Sequence, residues 1–142
     1  MKKVLLDTDT LSEILKAKNP TIAKNVHVYR TEHGRYTFSA VTVMEVIRGL
    51  FQKRYDSQIA QFVKVADRNE VLSLDRTSGE LAGRIYADLA RHGTPIGIAD
   101  IMIAAIAIHR GLALATGNAS DYIRVQQVGY PLALEDWREP IP

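Results

Sequence analysis

Short apolar runs alternate with stretches of helical periodicity along the whole chain. Val4, Leu5 and Leu6 form the first run, which reads as a buried parallel strand. Asp7 stands where that strand ends. Thr10-Leu-Ser-Glu13 has the pattern of a capping box, predicting a helix that starts at Thr10. Asn19-Pro20 closes that helix and opens another, whose Ile22, Val26 and Tyr29 recur at helical spacing up to His33-Gly34. Tyr36 to Ser39 is a second strand by β propensity. Ala40 to Gln52 is a helix with an apolar stripe of Ala40, Val43, Met44, Ile47 and Phe51. Tyr55 to Ala66 is again amphipathic, and Glu70 to Leu74 reads as a third strand.

A second capping-box pattern, Thr77-Ser-Gly-Glu80, predicts a helix from Thr77 to about Arg91, with Glu80–Arg84 and Arg84–Asp88 pairing on its wet face and Gly93 beyond its end. Ile98 to Ile108 is apolar on every side, as expected of a central buried helix, and Asp100 is its only charge. Gly111 ends it. Leu112 to Ala115 is a fourth strand, Thr116-Gly-Asn-Ala-Ser-Asp121 a polar turn, and Leu132 to Leu134 a fifth, edge strand, with Trp137 packed across the surface. Strands alternating with helices predict an α/β fold: a central parallel sheet of four to five strands with helices on both faces. No linker or repeat interrupts residues 1–142, so a single domain is expected.

Composition narrows the chemistry. The chain lacks cysteine, which excludes disulfides and thiolate catalysis, and its four histidines show no zinc-site spacing. No apolar run is long enough to span a bilayer and no signal-peptide pattern is present, so a cytoplasmic protein with no membrane partner is expected. A formal charge of +2 is compatible with an acidic partner without requiring one.

The candidate chemistry lies at one edge of the expected sheet. Asp7 ends the first strand, Glu45 follows the second on a helix, Asp100 occupies the first turn of the buried helix, and Asn118 and Asp121 follow the fourth strand. Singly, each also reads as a cap, a solvated helix residue or a turn former. Together they place several carboxylates where α/β sheets bind ligands. Such a cluster repels itself unless a cation joins it, and an all-oxygen donor set selects Mg²⁺ or Mn²⁺. Thr8, Ser39 and Thr116 are hydroxyls that could orient carboxylates, and Arg48 is a candidate for steering an acidic partner.

These stretches resemble the four motifs of PIN-domain nucleases: Val4-Leu-Leu-Asp-Thr-Asp9, Ser39-Ala-Val-Thr-Val-Met-Glu-Val-Ile-Arg-Gly49, Ile98-Ala-Asp-Ile-Met-Ile-Ala-Ala105 and Thr116-Gly-Asn-Ala-Ser-Asp-Tyr122. Within that family the chain is most similar to the VapC toxins of bacterial type II toxin–antitoxin modules. The resemblance implies a PIN-like three-layer fold and Mg²⁺-dependent endoribonuclease activity, with Asp7, Glu45 and Asp100 holding metal and Asn118 or Asp121 completing the site. It also implies a homodimer, an RNA substrate and a cognate antitoxin that blocks the site within a toxin–antitoxin hetero-oligomer. Three positions depart from the pattern. Asp9 replaces the usual Asn, Ile98 stands where many relatives carry an acid, and Asn118 stands where some carry Asp. The last two thin the ligands for a second ion, so one tightly held Mg²⁺ is expected. Two other readings compete. Leu6-Asp-Thr-Asp-Thr-Leu11 also fits the signature of haloacid-dehalogenase-type phosphatases, with Asp7 as nucleophile; and the acids could simply form a non-catalytic binding surface.

Overall fold

The computed structural model describes residues 1–141. Its strands are β1 (Val4–Leu6), β2 (Thr37–Ser39), β3 (Glu70–Leu72), β4 (Ala113–Ala115) and β5 (Leu134–Glu135). Its helices are α1 (Thr8–Lys16), α2 (Pro20–His33), α3 (Ala40–Gln52), α4 (Asp56–Arg68), α5 (Arg76–Arg91), α6 (Ile98–His109) and α7 (Ala119–Gln127). The strands form one sheet in the order β3-β2-β1-β4-β5, parallel at every pairing. Leu6 is in register with Phe38 on one side and Ala115 on the other, so β1 is the middle strand, as its all-apolar sequence demands.

The alternation of side chains along β1 divides the core into two layers. Leu5 faces one side with Leu114, where α5, α6 and α7 supply Ile85, Leu89, Ile103, Ile106, Tyr122 and Val125. Val4 and Leu6 face the other with Phe38 and Ala115, against Leu11 of α1, Ile22 and Tyr29 of α2, Phe62 of α4 and Trp137 of the tail. The chain leaves β1 toward β2 on one side and later returns to β4 on the other. That reversal opens a crevice at the carboxyl ends of β1 and β4. Among the described residues no helix is long and apolar enough to cross a membrane.

Several boundaries differ from the expectations, those of α1 and α5 because a nearer residue makes the cap. α1 starts at Thr8, with Asp7 as N-cap accepting from the Thr8 amide at 2.8 Å, and Thr10 is buried one turn inside. α5 starts at Arg76, where Asp75 and Ser78 form the reciprocal capping box in place of Thr77 and Glu80. Glu80 pairs back to Arg76 at 3.4 Å, not forward to Arg84, and Asp88 pairs with Arg91. The stretch after Asn118 coils into α7 instead of remaining a turn, because Tyr122 and Val125 have a core face to fill. β3 ends at Leu72, and β5 lies slightly later than expected, at Leu134–Glu135. α6 is sealed from Ile103 to Ala107, yet its first residue, Ile98, is 64% exposed. The helix therefore emerges at the site end, which is how Asp100 reaches the crevice.

Candidate active site

Asp7 is the first residue after the middle strand and is 4% exposed. Strand and helix meet at this residue, so its carboxylate caps α1 through Oδ1 and accepts from the Thr116 hydroxyl through Oδ2 at 2.9 Å. Those two bonds do not offset its confinement. Burial above all, then the charge of Asp9, push the Asp7 carboxyl up to about 7, with Asp100 adding to the shift. Asp100, half-buried in the first turn of α6, is raised as well, first by burial and then by Glu45, Asp121 and Asp9. The acids proposed from sequence thus converge, close enough that each raises the cost of charging another.

Their side chains are held by hydroxyls. Thr8 donates to Glu45 Oε1 at 2.7 Å, tying α3 to the start of α1. Thr116 holds Asp7, and the Asn118 amide donates to Thr116 Oγ1 at 2.9 Å. Ser39, in contrast, caps α3 by accepting from the Thr42 amide and reaches no carboxylate. Asn118 Nδ2 donates to Asp121 Oδ2 at 3.0 Å, so the two candidates for the fourth position form a pair. Arg48 is exposed and its guanidinium lies 3.9 Å from Glu45.

One participant escaped the pattern reading. Tyr122, a fully buried residue of α7, donates its hydroxyl to Asp100 Oδ1 at 3.2 Å. Burial and then the charges of Asp7 and Asp100 push the phenol above its ordinary range, so it stays a neutral donor. The ring sits at a core position, where a Phe would serve equally well for packing. Only the hydroxyl marks it as part of the site.

The donor set is all oxygen, and two of its acids are reluctant to carry unshared charge, which suits a hard divalent cation. Among the described residues no group of three or more acids or histidines is already gathered around one point for an ion. Glu45, Asp7 and Asp100 each face a different hydroxyl instead. The residues fit a metal in charge and donor type, and Thr8 and Tyr122 each engage only one oxygen of their carboxylate, leaving the second oxygen of Glu45 and of Asp100 for an ion.

Residues 4–126 match the model of the PIN domain. The chain belongs to the PIN-domain family. It is 33% identical over 138 residues to the tRNA(fMet)-specific endonuclease VapC of Shigella flexneri, covering 96% of this chain and 99% of that protein. It is 34% identical to the Salmonella typhimurium protein of the same name, with the same coverage. The DNA-bound VapBC structure from Salmonella typhimurium superposes with a TM-score of 0.76 at 34% identity, covering 96% of this chain and 99% of that one. VapBC-1 of nontypeable Haemophilus influenzae superposes with a TM-score of 0.79 at 25% identity, covering 97% of this chain and 100% of that one. The chain is a nuclease of the VapC type, and its parallel α/β sheet is the PIN fold. This family membership sets aside the phosphatase reading of Asp7 and Asp9.

Proposed function

We propose that this chain is a Mg²⁺-dependent endoribonuclease, with Mn²⁺ able to substitute, that acts as the toxin of a type II toxin–antitoxin pair. The observation that carries this reading is the convergence of Asp7 and Asp100, both raised by burial and by the charge of neighbouring acids, at the crevice between β1 and β4. Asp7, Asp100 and Glu45 would hold the ion, with Asn118 and Asp121 completing the site. When bound, the ion lowers the pKa of a water and neutralises the attacked phosphodiester. The chain's own residues set the geometry. Thr116 fixes Asp7, Thr8 presents Glu45, and Tyr122 aims Asp100. In-line attack by water on phosphorus leaves a 5′-phosphate and a 3′-hydroxyl. Initiator tRNA is the substrate class to try first, because the relatives named above are specific for tRNA(fMet).

An antitoxin partner follows from the VapBC complexes that share this fold. The same acid pocket that takes a metal suits an arginine from such a partner, since guanidinium binds carboxylates bidentately. A homodimer of the toxin within that complex belongs to the same proposal. The decisive experiment uses purified full-length chain, labelled tRNA and Asp100→Asn. The wild type cleaves in Mg²⁺ and the variant, folded by circular dichroism, does not. Equal cleavage by the two, or cleavage in excess EDTA, overturns the reading.

A further inference from the structure

We propose that Asp9 and Arg138 are positioning residues that clamp the backbone of Gly117 at its N–H and its C=O and thereby hold the Thr116–Asn118 segment, which leads into α7, beside the acid site. This deepens the nuclease reading above and rests on it. Asp9, on the first turn of α1, accepts from the Gly117 amide through Oδ2 at 2.9 Å, while its Oδ1 accepts from the Thr10 amide at 2.7 Å. Arg138, in the tail, donates from Nη2 to the Gly117 carbonyl at 3.1 Å. The two peptide units that flank Gly117 are therefore both gripped, the first at its N–H by an anion and the second at its C=O by a cation. Both bonds are charge-assisted, the stronger kind of hydrogen bond.

The grip is built, not incidental. A Cβ on Gly117 would lie 3.0 Å from Asp9 Oδ2 and 3.2 Å from Arg138 Cζ, so any larger residue here would push both groups back by a few tenths of an ångström. Arg138 is itself oriented by Asp136, which accepts from its Nε at 2.9 Å and from its Nη2 at 2.6 Å. The tail that carries it is anchored by Trp137, buried against Tyr29, and by Asn25, which donates to the carbonyls of Trp137 and Glu139. Gly117 lies between Thr116, which holds Asp7, and Asn118, which holds Asp121. Fixing the peptide units on both sides of it fixes both neighbours. The clamp also gives the extra carboxylate at position 9 a task, and an opposite charge beside it.

Asp9→Asn retains one acceptor, which can serve the Gly117 amide while the bond to the Thr10 amide is given up; Asp9→Ala retains none. Arg138→Gln removes the cation. Amide exchange at Gly117, followed by NMR in metal-free protein, reads the clamp without reference to cleavage. Asp9→Ala should speed that exchange about tenfold or more, with Asp9→Asn close to wild type. In cleavage assays Asp9→Ala should lower kcat about tenfold to a hundredfold with KM within about twofold, as misplacement of catalytic groups does, and Asp9→Asn should restore most of it. Arg138→Gln should lower kcat less, and the double variant Asp9→Ala with Arg138→Gln should lose less than the product of the two single losses. Wild-type exchange at Gly117 in both Asp9→Ala and Arg138→Gln overturns the clamp. So does failure of Asp9→Asn to restore kcat, which would make Asp9 a charge the site needs. If the wild type cleaves no RNA, the nuclease reading falls while the exchange arm still decides the clamp.

Discussion

Asp7→Asn removes the charge that the fold holds at greatest cost. The folded chain, with its Asp7 carboxyl at about 7, binds this proton more tightly than an unfolded chain with an ordinary value of 3.8. Metal-free protein is therefore favoured by this group while Asp7 is protonated in both states. It loses that stability as pH rises from about 4 to about 7, with little further change above. At about 1.4 kcal/mol per pH unit, the full loss is at most roughly 4 kcal/mol, of which roughly 2–3 kcal/mol falls between pH 5 and pH 8. Asp100, also raised, steepens the fall. Glu70 acts oppositely: Lys3 and Thr37 hold its carboxyl low, so its contribution is present above the ordinary carboxylate range and lost in stronger acid. The asparagine can replace every bond of Asp7, since its carbonyl accepts from the Thr8 amide and its NH₂ donates to the Thr116 hydroxyl. Urea unfolding in EDTA across pH 5 to 8 gives the test. The wild-type midpoint should drop with rising pH, the variant's should drop much less, and at pH 8 the variant should be the more stable. Added Mg²⁺ at pH 8 should raise the wild-type midpoint more than the variant's. Parallel pH slopes for the two proteins would refute the assignment of this strain to Asp7.

EDTA should abolish RNA cleavage and Mg²⁺ or Mn²⁺ restore it, whereas a zinc-selective chelator should change nothing, since the candidate ligands are all oxygens. Asp121→Asn should raise the Mg²⁺ concentration for half-maximal cleavage by about tenfold, while Asn118→Ala should lower the maximal rate more than it shifts that titration. Glu45→Gln should fold, by circular dichroism, and lose at least about tenfold in rate. Trp137→Ala, which empties a buried site beside Tyr29, should cost about 3–5 kcal/mol in urea unfolding.

Pattern alone carried the sheet and the acids, because both obey one-dimensional rules. Val4–Leu6 had to be a central strand, and a carboxylate directly after it had to sit at the ligand edge. Asp100 stood out as the lone charge of an otherwise apolar helix. What stayed hidden depends on distances that spacing does not encode. Asp7 could cap α1 at once because the strand delivers it with extended backbone, so the capping-box pattern at Thr10 went unused. Tyr122 and Arg138 drew no role from the pattern, since their partners lie 22 and 21 residues away. Asp9 stood out in the sequence only as a departure from the usual Asn. It reaches Gly117 because that helix begins earlier, which puts Asp9 in the first turn.

The middle position of β1 has a consequence for synthesis. Its far-side partner, β4, lies more than a hundred residues later, and Thr116, which steadies Asp7, follows that strand directly. A chain elongating on the ribosome exposes its first acid early but cannot close the sheet around it until β4 emerges, and non-local pairing of this kind is intrinsically slow. A chain ending before β4 lacks both the far side of the sheet and the hydroxyl that steadies Asp7, so the acid edge is assembled only once β4 is in place.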